Sequence, residues 1–388
     1  MRTDFEYVVL GLGGIGSAAA YWLSRRAGED VLGLEQFELG HVRGESQDHS
    51  RIIRLSYHRP DYVELAKRAY LAWAQVEADS GEQLILRTGG LDLGPRKSAI
   101  PLETYMESMD SCDVPYEHLD AAEIMRRWPP FRLGDEIHGL YQAQGGIAMA
   151  ARANATHQKM ARQHGAILRE RAGVTYVRWV GGEFEVLSGE TPYRCRKLVI
   201  AAGPWSNEAL SHFDLRLPLE VTKEQVTYFA PSDLAPFDPR RFPVWIWMDD
   251  PSFYGFPVFG EPGIKIAQDA GGKPVDPDTR TFEQDDENFQ RVRAFLERYL
   301  PSALGKIVYT KTCLYTLPPD RDFIIDSLAN YPQAAIAIGA GHAFKFASVI
   351  GKILSELAVD GKTDTDISGF TLTRPILREA NPSKTYMI

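Results

Sequence analysis

The chain has 388 residues and a formal net charge of −9, enough length for a large core and two domains, with an acidic balance that disfavours non-specific contact with nucleic acid or anionic lipid. Hydrophobic residues make up 44% and charged residues 24%, values that exclude a disordered chain. Its three cysteines, Cys112, Cys195 and Cys313, are too far apart for a zinc-ligand spacing or a disulfide framework; with no signal segment, no membrane-length apolar run and no SKL-type ending, a soluble cytoplasmic location is expected.

The first element predicted is a βαβ unit. An apolar run, Tyr7-Val8-Val9-Leu10, leads into Gly11-Leu12-Gly13-Gly14-Ile15-Gly16, a helical pattern over Ser17–Leu23 and a second run, Val31–Leu34. Gly11 allows the tight turn, Gly13 lets the backbone approach a pyrophosphate, and Gly16 lets the helix pack on the sheet. The helix N-terminus, reached through Gly14 and Ile15, offers unpaired N–H groups to an anion. Glu35, followed by Gln36, ends the second strand where a carboxylate accepts a ribose hydroxyl and repels a 2′-phosphate. The spacing therefore predicts NAD or FAD rather than NADP and does not separate the first two.

A polar loop from Gly40 follows and is expected to turn into a helix-like segment around Ser50-Arg51-Ile52-Ile53-Arg54, whose arginines belong either to a solvated helix face or to a site. Tyr62 to Glu77 has helical periodicity with aromatic residues suited to a core. Short strands at Leu84–Leu86 and Gly89–Leu93, and helices at Pro101–Ser111 and Ala121–Arg127, open an excursion from the nucleotide unit over 94–144. A helix over Ala150–His164 and a hairpin, Val174–Val180 and Glu183–Leu187 about Gly181-Gly182, come next. Lys197–Ile200 then reads as a buried parallel strand ending in Ala201-Ala202-Gly203-Pro204-Trp205, small enough for a cofactor to pass or simply a tight turn.

Alternating, aromatic-rich runs at Val221–Ala230, Val244–Met248, Phe253–Pro257 and Gly263–Ala267 predict antiparallel strands with one covered face. Lys265 stands between apolar neighbours there, either as an edge-strand solubility device or as a functional charge. A helix over Phe289–Tyr299, a buried strand over Ala334–Ile338 and a glycine-rich entry, Gly339–Lys345, to the helix Phe346–Ala358 complete the chain. That entry is a second helix N-terminus able to hold an anion or an electron-rich ring.

Taken together, the N-terminal glycine motif, Ser50–Arg54, Tyr254-Gly255-Phe256-Pro257, Gly263-Ile264-Lys265, Lys311-Thr312-Cys313-Leu314-Tyr315-Thr316, Phe323-Ile324-Ile325-Asp326 and Gly341–Phe346 resemble the monomeric sarcosine oxidase and N-methyltryptophan oxidase family, in order and over essentially the whole chain. The resemblance implies an α/β plus α+β architecture: a Rossmann-like FAD-binding domain from 1–93, 145–216 and 313–388, and a substrate domain from 94–144 and 217–312 on a mixed, largely antiparallel sheet. It implies FAD attached through Cys313, with Ser50, Arg51, Val174, Ala202, Gly203, Trp205, Tyr315, Gly341, His342, Phe344 and Lys345 around it. By itself, Cys313 reads as a small buried hydrophobe.

The reaction implied is oxidation of a secondary amino acid such as sarcosine by FAD and O2, giving an imine and hydrogen peroxide, in a monomer whose partners are a small molecule and oxygen. Arg54 and Lys345 match the family's carboxylate clamp, Lys265 its lysine on the opposite flavin face, and Tyr254 its pocket. Arg51 would help set the flavin's electrostatics. Gln47 and Asp269 stand where the family has histidines, which changes the pocket wall and leaves cyclic imino acids (pipecolate, proline) or bulkier N-substituted amino acids as the alternative substrates. An NAD-dependent dehydrogenase and a non-catalytic flavin sensor are the other readings.

Overall fold

In a computed structural model that describes residues 2–385, the chain builds three sheets. The first grows outward from the strand Asp4–Leu10, whose last three residues are buried on both faces. Val31–Leu34 and Thr191–Ile200 flank it, Ile167–Arg169 and Tyr331–Ile338 lie beyond them, and all five run parallel. Strands buried on both faces need helices above and below. Gly14–Ala27, Ala150–Gln163 and Ala347–Asp360 form a layer on one side, around a core that includes Ala19, Leu23, Ile350 and Leu354. Ser206–Ser211 and the predicted hairpin, seen at Val174–Val180 and Glu183–Ser188, close the second core around Phe184, Leu198 and Leu210. Ile324–Leu328 pairs antiparallel with Tyr331–Ile338, completing eight strands.

The second sheet has nine strands and is antiparallel except where Val244–Trp247 runs beside Gly90–Pro95. Its longest pair is Glu220–Pro231 with Gly305–Leu317. Asp286–Tyr299, capped by Asp285 accepting from the Asn288 N–H, lays Phe295 against Trp245, with ring centroids 5.5 Å apart. That helix and Ala121–Arg127 cover one face, leaving the other toward the nucleotide-binding side. Two of the expected domain limits, at 93 and 313, fall inside strands of this sheet. Among the described residues no helix is long and apolar enough to cross a membrane.

The helix-like segment expected around 50–54 is instead the strand Arg51–Ile53, paired antiparallel with Gly146–Ala148, which also pairs with Ile85–Arg87. β-Branched Ile52 and Ile53 suit this pairing, and Ile53 enters the helical-layer core. The edge-strand reading of Lys265 also gives way. Its strand, Ile264–Gln268, lies between Glu220–Pro231 and Phe253–Phe256, so the buried ammonium serves no sheet edge.

Candidate active site

The glycine-rich turn ends the first strand at the mouth of a cavity of about 420 Å³. Gly11 has φ +83°, and a Cβ on Gly16 would lie 1.8 Å from the Gly11 carbonyl oxygen, so the helix approaches the turn as closely as glycine allows. Gly14–Ala27 has neither a side-chain cap at Gly13 nor an acidic residue in its first turn. This leaves its partial positive charge facing the cavity. Glu35 is buried and accepts from the Leu12 and Phe37 N–H groups at 2.8 and 3.1 Å, which fixes the carboxylate on the cavity wall with lone-pair capacity left over. Gln36, Val174, Ala202, Gly203 and Trp205 line the same space. Glu45 Oε1, Gln47 Oε1 and Asn154 Oδ1 are buried there without a protein partner. A helix N-terminus, a buried carboxylate on the cavity wall and orphaned acceptors are the donor and acceptor set a dinucleotide would complete.

Gly14, Ile15, Glu45, Ser46 and Gly339 border both this cavity and a second, smaller one of about 110 Å³. Arg54 and Lys345 converge on the latter from different elements. Arg54 Nη1 donates to Asp92 Oδ1 at 3.0 Å, and the guanidinium lies 5.0 Å from the Tyr57 ring centroid. Burial works most strongly against its charge, but Asp92, Tyr57 and Tyr105 together outweigh burial and keep the group firmly protonated. Asp92 is held in turn by the Ser56 hydroxyl. Lys345 is presented by the short turn Ala343–Phe346, whose backbone is anchored where Trp73 Nε1 donates to the Lys345 carbonyl at 2.7 Å. Burial, with Arg54 nearby, lowers its ammonium to about 7.

Opposite these cations stands Asp269. Both of its oxygens accept from Arg321, each at 2.9 Å, so the carboxylate on the wall comes with its own counter-charge. His342 Nε2 lies 3.0 Å from the Arg321 carbonyl oxygen, and burial, followed by the charge of Lys345, keeps the imidazole neutral. Tyr254, Tyr315, Phe344, Ile52, Ile246 and Met248 supply the apolar walls. A small anion with a short, uncharged remainder is what this cavity can hold.

Cys313 and Tyr315 alternate with Thr312 and Leu314 on Gly305–Leu317. Cys313 borders a narrow space shared with Arg51, Tyr254, Lys265 and Gln47. Burial pushes the thiol up to about 11, with Arg51 pulling the other way. Arg51 Nη2 donates to the Glu45 and Gln47 carbonyls, each at 2.7 Å, which straps the preceding loop in place. Lys265 Nζ contacts Asp48 and donates to the Ser50 carbonyl at 3.0 Å.

Of the expected site residues, Gly16 and Ser50 line none of these spaces: Gly16 packs on Gly11, and Ser50 binds Lys265 through its carbonyl and hydroxyl. Gly341 and the rest border one cavity or another. Gln47 does not aim its amide nitrogen into the pocket; Nε2 donates to the Thr312 carbonyl at 2.6 Å. Sequence reasoning missed Glu45, Ser46, Asp48, Asp92 and Arg321. The last sits in Pro318-Pro319-Asp320-Arg321-Asp322, which reads as a polar turn. Asp48 adjoins Gln47 in a segment already singled out, and its charge beside two arginines was the available signal.

The sequence profile of the FAD dependent oxidoreductase family matches residues 6–357. Two monomeric sarcosine oxidases are similar along nearly their entire length: that of Bacillus sp. (strain NS-129) is 31% identical, covering 98% of this chain and 99% of its own, and that of Streptomyces avermitilis is 34% identical, covering 95% and 97%. Among solved structures, the open form of NikD, described as an unusual amino acid oxidase essential for nikkomycin biosynthesis, superposes with a TM-score of 0.86 at 28% identity, covering 98% of this chain and 100% of that one. With a glycine-rich dinucleotide cradle, a second cavity beside it and full-length likeness to these proteins, the chain belongs to the FAD-dependent oxidoreductase family, alongside the monomeric sarcosine oxidases.

Proposed function

We propose that the chain oxidises secondary, N-alkyl amino acids such as sarcosine to imines that hydrolyse in water, with O2 reduced to hydrogen peroxide. The convergence of Arg54 and Lys345 on one small, apolar-walled cavity beside the dinucleotide site carries this reading. Bound FAD supplies the acceptor for the electron pair leaving the substrate and the route by which those electrons reach oxygen. The residues around it do the positioning. Lys345 meets the substrate carboxylate with a compact charge, and Arg54, already fixed by Asp92, supplies a planar one, so the carboxylate is held from two directions. Fixing one end of a small molecule in this way sets which C–H bond faces the neighbouring cavity. The cations also disfavour an ammonium on the substrate, leaving the nitrogen lone pair free for the reaction.

In this reading Cys313 holds FAD covalently, Lys265 supplies positive charge where oxygen is reduced, Tyr254 and Tyr315 close the pocket against water, and the enzyme acts as a cytoplasmic monomer. The eight-stranded sheet with its helices forms the cofactor domain, and the nine-stranded sheet forms the substrate domain. Membership of an FAD family sets aside the NAD-dependent dehydrogenase. Asp269 on the cavity wall favours one second reading, a substrate with a hydrogen-bond donor or a ring in place of the N-methyl group, such as a cyclic imino acid. Ranking kcat/KM for sarcosine, N-methyltryptophan, proline and pipecolate separates the two: highest values for the acyclic N-methyl compounds support the first, and for pipecolate or proline the second.

A further inference from the structure

Lys265 is buried on an interior strand, and among the described residues its ammonium has one carboxylate partner in ion-pair contact, Asp48, at 2.5 Å. Asp48 is an unusual residue to find there. Its φ is +85°, a backbone conformation few side chains adopt, and it is 8% exposed. Two tyrosine hydroxyls hold it besides Lys265. The Tyr228 hydroxyl donates to both carboxylate oxygens at 3.1 Å, the Tyr309 hydroxyl lies 3.3 Å from Oδ1, and the two tyrosine rings stack with centroids 4.7 Å apart. The strands carrying those tyrosines, Glu220–Pro231 and Gly305–Leu317, pair directly, with Tyr228 opposite Tyr309.

The other groups facing Lys265 give it no comparable support. Arg51, from the strand Arg51–Ile53, disfavours a second positive charge. Ser50 offers only a carbonyl and a hydroxyl, and Phe256 a ring face 4.7 Å away. Tyr254, Tyr315, Cys313 and Lys311 border the same space and offer no anion: burial keeps both tyrosines protonated, Cys313 is neutral as thiol or thioether, and Lys311 is basic. The His49–Glu261 pair lies behind Tyr228, with the His49 ring set edge-on to it. A buried amine without a counter-ion gives up its proton.

We propose that Asp48, aimed by Tyr228 and Tyr309, is the positioning residue that keeps Lys265 protonated at the cavity wall. The carboxylate suits that task because Lys265 and Arg51 overcome the effect of burial and hold it ionised. Its importance for catalysis rests on the proposed role of Lys265 in oxygen reduction; the charge assignment itself does not.

The test is a pH titration of the Lys265 side chain by NMR in holoenzyme labelled with [13C]lysine, with Lys265→Met identifying the signal. The wild-type midpoint is expected near or above 8, where burial and Asp48 balance. In Asp48→Asn it falls by about one pH unit or more, a tenfold change in the protonated-to-neutral ratio. An unchanged midpoint in Asp48→Asn overturns the proposal. If that variant does not fold, a wild-type midpoint below about 6, the range documented for unpaired buried lysines, overturns it equally. Reoxidation of reduced enzyme by O2 is followed in the same samples. A shifted midpoint with unchanged reoxidation supports Asp48's role and removes Lys265 from the oxygen reaction, so the two readings fail separately.

Discussion

Arg54–Asp92, Asp269–Arg321 and Lys265–Asp48 are ion pairs buried around the cavities, while Lys345 has no carboxylate in ion-pair contact among the described residues; this division makes distinct predictions for single residues. Lys345 deprotonates near 7 in the free site, and a bound carboxylate favours its charged form. Affinity for a small monocarboxylate inhibitor is thus level below that pH and declines above it, approaching about tenfold per pH unit. Lys345→Met weakens the inhibitor by about tenfold or more at pH 6, on the order of 1.4 kcal/mol, and flattens the profile. Titrations at pH 6 and 8.5, read by flavin absorbance, check both. Asp269→Ala acts on stability instead. It strips Arg321, 1% exposed, of a bidentate partner, so unfolding should become easier by about 3 kcal/mol, seen as a lower denaturation midpoint.

At the scale of elements, the turn before Gly14–Ala27 and the strand Gly305–Leu317 carry the cofactor predictions. Gly16→Val would drive a side chain into the Gly11 carbonyl and force helix and strand apart, so the purified protein should lose its yellow colour and melt earlier. Cys313→Ala should leave a colourless pellet and a yellow supernatant after acid precipitation, where wild type gives a yellow pellet. The βαβ unit, the Gly-Gly hairpin and the helix over Ala121–Arg127 were legible because periodicity and turn residues there are local signals. Gly305–Leu317 is not legible as a strand: its first half runs from exposed to half-buried, with Ile307, Val308 and Tyr309 in a row, so no alternation marks it. Arg51–Ile53 reads as helix in the sequence because three residues are too few to show a period. Arg51, Arg54, Lys265, Lys345 and Asp269 are legible in the sequence, but the oppositely charged partners of the buried groups are not. Asp92 lies 38 residues from Arg54, Arg321 lies 52 from Asp269, and only tertiary packing joins them.

In the whole molecule, two sheets meet so that the glycine-rich turn of one and the aromatic strands of the other bound adjoining cavities, with Glu45 and Ser46 between them. Burial pushes the Glu45 carboxyl up to about 7, so near neutrality it carries only part of a negative charge between the two cavities. In the proposed reading the net charge of −9 and the cations of the small cavity serve different ends, the first keeping molecules apart and the second gripping a carboxylate. The measurement that tests this account most directly is anaerobic mixing of the purified yellow protein with sarcosine and with pipecolate, followed by admission of oxygen. An N-alkyl amino acid should bleach the flavin band, and oxygen should restore it with one hydrogen peroxide per turnover. A flavin band that no secondary amino acid bleaches would contradict the proposed reaction.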